Sequence, residues 1–298
     1  MPIEALAQAI ADIARIDGDH TTAIPQLSLH RRSLRTAPVH CVYGLGVAVV
    51  AQGGKQVAHN DQVTHYGAGQ SLVSTVDMPV AAQVTQADAA RPYLGMMLTL
   101  DARVLVQLAS DLDLPPLPRD PPAFALSLKP LDAPLLDAAT RLVKLLQEPA
   151  LIPSLAPLIQ QEIAVRLLCG PHGPYLRQLV ATGSPSHQVA QAMAWLKQNF
   201  ASDVPMDDLA ARAHMSPSTF RLHFRKLTGM GPLRYQKQLR LQAARQLMLN
   251  DNLDASATAA RVGYESPSQF SRDYSRLFGD APQRDIKRMR QLPAVARA

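Results

Sequence analysis

Two sets of side chains in this sequence carry chemistry. The first is basic and polar. Ser218, Arg221, Leu222, Arg225 and Lys226 lie in SPSTFRLHFRKLTGMGP (216–232), and Ser268, Gln269, Arg272 and Arg276 lie in SPSQFSRDYSRLFGDAP (266–282). Arginine presents paired donors that fit the edge of guanine, and glutamine pairs in the same way with adenine. The second set is His40, Cys41, His59, Asp61 and His65, all in the first quarter of the chain. These are imidazoles, a carboxylate and a thiol, the types that bind metals or react with electrophiles.

The second set lacks the pattern its chemistry needs. Across 55–75 there is no closely spaced His-x-His and no following Glu to add to a ligand set. Here His59 and His65 only flank an Asn60-Asp61 turn, so they read as exposed hairpin histidines and no metal is expected. There is no G-x-S-x-G, no phosphate loop and no H-E-x-x-H, so no catalytic residue or cofactor is expected and the chain is not read as an enzyme. Cys41 begins an apolar strand, where a buried inert thiol is the default. It is kept as a candidate sensing thiol, a role that needs an exposed, electropositive setting.

The first set sits on an element that occurs twice, 50 residues apart, with seven of 17 positions identical. Each copy starts with Ser-Pro, an N-cap followed by proline at the first helical position. Gln269 stands where a capping box places it, three residues after Ser266. Phe220, Phe224 and Leu227 form one buried stripe, repeated by Phe270, Tyr274 and Leu277. Gly229 and Gly279 suit the left-handed position that ends a helix, and Pro232 and Pro282 forbid continuation. A short helix precedes each copy, at 206–213 and 255–262, across a short connection. That layout is a helix-turn-helix, placed at about 206–228 and again at about 255–278. A helix over 233–248 joins the units and would span roughly 24 Å, which suits two neighbouring major-groove segments. Ser218, Arg221, Leu222, Ser268, Gln269 and Arg272 are then expected to face bases. Arg225, Lys226, Lys237, Arg240 and Arg276 are expected to meet phosphates, and Arg234 and Arg245 add positive charge.

Charge agrees with that reading. Residues 186–298 hold 17 Lys+Arg against 9 Asp+Glu, a balance of +8, while residues 1–185 hold 13 against 15, a balance of −2. A basic C-terminal third points to a polyanion. The first third alternates like strands: 39–51, 55–59, 62–66, 70–75, 80–85 and 93–100. Seven prolines in 113–134 predict a loop. Helices are expected at 134–146 and 153–169, the second with an apolar stripe that would pack within the chain or across a homodimer. Residues 171–186 read as a linker with one short helical piece at 175–180. A helix over 188–200, capped by Ser186, follows. The domains expected are a sensor over 1–170 and a DNA-binding domain over 187–290. No apolar run nears the roughly 18 residues of a membrane span, the N-terminus has no basic n-region, and the two cysteines form no framework. A cytoplasmic protein away from membranes is expected.

The combination MSPSTFRLHFRKLTG, YQKQLRLQAARQLML and RVGYESPSQFSRDYSRLFGDAP resembles the DNA-binding domain of AraC/XylS-family bacterial transcription regulators, over about 187–290. VAVVAQGGKQVAHNDQVTHYGAGQSLVSTVDMPV and PYLGMMLTLD resemble the cupin-like sensor of one subgroup. Leu222 departs from the family, many of whose members carry Arg or a polar residue there; on the groove face it could touch a thymine methyl. The resemblance implies an α+β two-domain chain: a cupin-like β-barrel with C-terminal helices, then an all-α domain of two helix-turn-helix units. It implies a regulator of double-stranded promoter DNA, usually an activator, with a small-molecule effector in the barrel and RNA polymerase as partner. The alternatives are a cupin protein or enzyme with a helical appendage, which bound metal would reveal, and a basic module that binds protein, which acidic competitors would reveal.

Overall fold

A computed structural model of the chain describes residues 3–60, 62–117 and 124–291. The N-terminal half opens with helix α1 (Ile3–Ile13). Nine strands then follow: β1 (Gly18–Thr21), β2 (Leu27–Arg32), β3 (Val39–Tyr43), β4 (Gly46–Gln52), β5 (Gly54–His59), β6 (Gln62–Gly67), β7 (Gln70–Ser74), β8 (Met78–Gln86) and β9 (Tyr93–Thr99). Helix α2 (Ala102–Asp111), strand β10 (Leu126–Pro130) and helices α3 (Ala133–Lys144), α4 (Ile152–Cys169) and α5 (Gly173–Val180) complete it.

All strand pairs are antiparallel. They form a six-stranded sheet in the order β1-β2-β9-β4-β7-β10 and a four-stranded sheet in the order β3-β8-β5-β6. The expected barrel is therefore a sandwich of two sheets that does not close. Its cause is visible in the apolar run 39–51. That run breaks at Gly44-Leu45, and β3 and β4 enter different sheets. Strand β4 is buried on both faces, since Val47, Val49 and Ala51 join the core covered by α1 while Val50 and Ala48 join the space between the sheets. Covered on both sides, it loses the polar–apolar alternation of a half-exposed strand.

The span 113–134, expected as a loop, contains β10. This strand is at the sheet edge, where Pro130 lacks an N–H that no outer neighbour requires. The expected linker is also corrected. Within 171–186, α5 puts Leu176 and Val180 in the helix-side core of the first half. His172, just before it, bonds Ser71 on β7 and Ser127 on β10, each at 2.9 Å.

The C-terminal half is helical: α6 (Pro185–Gln198), α7 (Met206–Arg212), α8 (Pro217–Thr228), α9 (Pro232–Asn250), α10 (Ala255–Arg261), α11 (Pro267–Phe278) and α12 (Pro282–Gln291). The cap of α6 is Ser184, whose hydroxyl accepts from the His187 N–H, and not Ser186. The chain turns one residue pair earlier because Pro185 takes the first helical position. Ser216 and Ser266 cap α8 and α11, and Gly229 (φ 70°) and Gly279 (φ 80°) end them in the left-handed region. Helix α9, at 19 residues, spans about 28 Å.

The halves share a core. Phe220, Phe224 and Tyr235 belong to the same apolar cluster as Val57, Met78 and Val80 of the four-stranded sheet. Polar contacts reinforce it. Tyr235 Oη donates to the Asp77 carbonyl (2.8 Å), Lys197 pairs with the Asp77 carboxylate (2.6 Å), and Gln242 donates to the Cys41 carbonyl (3.1 Å).

Candidate nucleic-acid interface

Each helix-turn-helix is anchored by stacked rings. Phe220, Phe224 and Tyr235 meet edge to face in the first unit, with centroids 5.5 and 5.4 Å apart. Tyr264, Phe270, Tyr274 and Phe278 form a longer ladder in the second. Burying those stripes turns the opposite faces outward. Ser218, Arg221, Leu222, Arg225 and Lys226 are all exposed on α8, and Ser268, Gln269, Arg272 and Arg276 are exposed on α11. Leu222 is 55% exposed, so it is no part of the core. Among the described residues no side-chain partner is found for Arg221, Arg225, Lys226, Gln269 or Arg272, which leaves their donors unspent. Asp273 holds Lys237 at 3.0 Å and Arg276 at 3.6 Å, both with exposed head groups.

One expected phosphate contact, Arg240, is corrected, and Arg245, expected only to add positive charge, is turned inward. Arg240 is half-buried, and its guanidinium donates to the carbonyls of Phe200 (2.7 Å), Gly263 (2.8 Å) and Ser202 (2.8 Å). Five N–H donors in a planar fork suit that convergence of carbonyls, and they are then not free for phosphate. Gln236, one turn earlier on α9, also donates to Phe200 and Ser202. Gly263 (φ +84°) packs so closely that a Cβ there would run into the Ala201 carbonyl. The turn of the second unit is thus fastened to the α6–α7 loop of the first. Arg245 is buried and donates to the two Asp285 carboxylate oxygens from Nε (2.9 Å) and Nη2 (3.0 Å). Tyr274 Oη (2.9 Å) and Arg288 (2.7 Å) also donate to Asp285. Burial acts to raise the Asp285 carboxyl, but Arg245, Tyr274 and Arg288 together hold it below its ordinary value.

Sequence reading missed α12 and its basic exposed residues Arg284, Lys287 and Arg288. The signal was present: Pro282 at a first helical position, Asp285 in the first turn and arginines in the last.

His59 was expected on an exposed hairpin and is buried. The β5–β6 tip docks on the end of α8, so His59 Nδ1 meets the Pro79 carbonyl (2.8 Å) and Nε2 meets the Thr228 carbonyl. Asp61 lies outside the described residues, and His65 is exposed. Among the described residues no three His, Cys, Asp or Glu side chains cluster as a metal site. His40 stacks edge-on against Phe278, 5.1 Å between centroids, at the end of α11. Burial pushes the Cys41 thiol up to about 11. At neutral pH it stays a thiol, the opposite of what a sensing cysteine requires.

Comparison with known proteins places both halves. The family described as AraC-type transcriptional regulator N-terminus matches residues 23–175, and a helix-turn-helix domain matches residues 209–288. The RCS-specific HTH-type transcriptional activator RclR of Escherichia coli (strain K12) is 39% identical over 87 residues, covering 29% of this chain and 31% of RclR. The HTH-type transcriptional regulator ExsA of Pseudomonas aeruginosa is 27% identical over 132 residues, 44% of this chain and 47% of ExsA. The HTH-type transcriptional activator RhaS of Klebsiella pneumoniae (strain 342) is 32% identical over 100 residues, 34% of this chain and 36% of RhaS. The chain thus matches about a third to a half of the length of these relatives. Among solved structures, ToxT from Vibrio cholerae O395 aligns over 90% of this chain and 98% of its own, with a TM-score of 0.57 at 10% identity. ToxT of strain SCE256 with a bound unsaturated fatty acid gives 0.55 over 91% and 97%. These are likenesses of fold.

Proposed function

We propose that this chain, which belongs to the AraC family of transcriptional regulators, binds promoter DNA through α8 and α11 in two adjacent major-groove segments. One observation carries the reading. Two capped helices are anchored by buried rings, and both turn a basic, polar face with unspent donors to the outside. Ser218, Arg221, Leu222, Ser268, Gln269 and Arg272 read bases, while Arg225, Lys226, Lys237 and Arg276 take phosphates. The sensor half, expected over 1–170, extends through α5 to Val180, and its effector acts through the core it shares with the first helix-turn-helix unit. A gel shift against the DNA upstream of the chain's own gene, repeated over a salt series, tests the reading. Phosphate neutralisation requires log affinity to fall linearly with log salt, at about 0.9 per contact. Absence of any sequence-selective shift at any salt would overturn it.

Activation through RNA polymerase is the direction proposed, in keeping with the named activators among the relatives. A homodimer is proposed across α4, where Leu155 and Leu158, with Leu151 just before the helix, are exposed. Sedimentation showing a monomer at micromolar concentration would remove it. Among the described residues no single helix is long and apolar enough to cross a membrane. A cytoplasmic site of action follows from the proposed DNA target.

A further inference from the structure

The first recognition helix ends against the sensor half. The last carbonyls of an α-helix lack partners within the helix and need donors from elsewhere. Two of those in α8 find them across the shared core. The Leu227 carbonyl accepts from the Ala125 N–H (2.9 Å), and the Thr228 carbonyl meets Nε2 of His59 at the β5–β6 tip. Among the described residues no donor of the sensor half reaches the matching carbonyls of α11, at Leu277 and Phe278. The two copies of the repeat therefore end differently.

His59 is 4% exposed, and its neighbours decide where its protons sit. Nδ1 meets the Pro79 carbonyl (2.8 Å) while Nε2 meets that of Thr228. A carbonyl oxygen only accepts, and a neutral imidazole has one N–H. A neutral ring would therefore turn a lone pair on one of the two carbonyls. The other neighbour of Nε2 is the Asn60 amide at 3.0 Å, whose Oδ1 otherwise has no donor. An amide can present either end. With Oδ1 toward the ring, a protonated Nε2 serves both the amide and the Thr228 carbonyl, whereas an unprotonated one serves the amide alone.

Among the described residues no carboxylate pairs with His59, and Asp77 ahead of β8 is held by Lys197 (2.6 Å). The Asp77 carbonyl takes the Tyr235 hydroxyl of α9. Arg225 and Lys226 on the last turn of α8 are exposed, as is His65 on β6, and Asp61 lies outside the described residues. The Phe124 ring flanks the imidazole, with centroids 6.0 Å apart. A charge on His59 is thus answered by acceptors and by the C-terminus of α8, where the helix dipole favours a cation.

We propose that the sensor half caps the first recognition helix with the doubly protonated ring of His59, so that its hold on α8 carries a proton and loosens as the pH rises. Loss of that proton sets a lone pair against a carbonyl and releases the hairpin tip from Gly229. The tip packs closely there, since a Cβ on Gly229 would stand 3.0 Å from the Asn60 amide. The last turn of α8 carries Arg225 and Lys226, so loosening it weakens the grip of the first unit on DNA and spares the second. The DNA consequence rests on the proposed reading of α8; the protonation of His59 does not.

The test makes two measurements on the full chain across a pH series. Nitrogen NMR of isotope-labelled histidine reads both ring nitrogens of His59, assigned by the signal that His59→Gln removes. Two protonated nitrogens are expected while the hairpin is docked, with docking followed by hydrogen exchange at the Ala125 amide. Gel shifts on single-base operator variants should lose discrimination severalfold at the α8 positions as the pH rises, with the α11 positions unchanged. His214 and His223 belong to the same unit, so the comparison is with His59→Gln, which should lose the part of the profile due to His59. Asn60→Asp sets a carboxylate beside the ring, suits the left-handed backbone there (φ 53°) and should move the profile to higher pH. It keeps the test if His59→Gln does not fold. A single protonated nitrogen in the docked state, equal pH profiles in wild type and His59→Gln, or an unmoved profile in Asn60→Asp would overturn the proposal. A chain that binds no DNA at any pH loses the regulator reading, and the NMR measurement still decides the charge of His59.

Discussion

Leu222 and Arg272 show how the residue scale separates reading from folding. Leu222 stands on the outward face of α8, so Leu222→Ala should change stability by no more than about 0.5 kcal/mol. It should weaken DNA binding at a single base position, as gel shifts on single-base operator variants would show. Arg272→Ala should cost about 1–3 kcal/mol and relax selectivity at one position. Arg225→Ala should weaken all sequences alike and reduce the salt slope by about 1. His172 gives a pH signature of the fold. Burial, aided by the charge of Lys129, pulls it down to about 4, below the ordinary 6.5. As pH falls below about 6.5 the unfolded chain takes a proton that the folded chain refuses. Stability is therefore complete above that value and is lost towards about pH 4, by up to about 1.4 kcal/mol per pH unit. Thermal melts across this window should flatten in His172→Gln.

At the scale of elements, the geometry between the two recognition helices depends on more than α9. Arg240 and Gly263 fasten the second unit to the 200–202 loop of the first. Arg240→Ala leaves buried carbonyls without donors and should cost about 2 kcal/mol or more. It should also let the protein tolerate an added base pair between its two DNA segments, which the wild type should reject. Gly263→Ala forces an unfavourable φ and pushes Ala201 aside, for about 1–3 kcal/mol or more. The sequence made the α8 and α11 ends legible because caps and glycines act locally. It concealed the role of Arg240, because an arginine on an amphipathic helix looks the same whether it meets phosphate or carbonyls 38 to 40 residues away.

At the scale of the molecule, the four-stranded sheet and the first helix-turn-helix unit are one apolar cluster, whereas the second unit has its own. A chain beginning at residue 183 would uncover the sheet-facing side of Tyr235, Met230 and Leu227. It should melt below the full chain, with the first unit losing hydrogen-exchange protection before the second. Equal melting temperatures would show that the shared core adds no stability. The docked hairpin gives this coupling a physical route, since His59 and Ala125 both touch the end of α8.

By itself the sequence determined the repeat, both capped helices, most of their buried stripes (Phe278 taking the place expected for Leu277) and their outward basic and polar faces, the basic charge of the last third and the strand-rich first half. All of these follow from short-range rules of capping, periodicity and charge. Only the tertiary structure decided that the strands form an open sandwich, that β10 and α5 fill the expected loop and linker, that His59 is buried, and that Arg240 and Arg245 face inward. Those outcomes depend on which distant backbone a side chain meets. Local spacing carries no information about that, because the partner lies tens or hundreds of residues away along the chain.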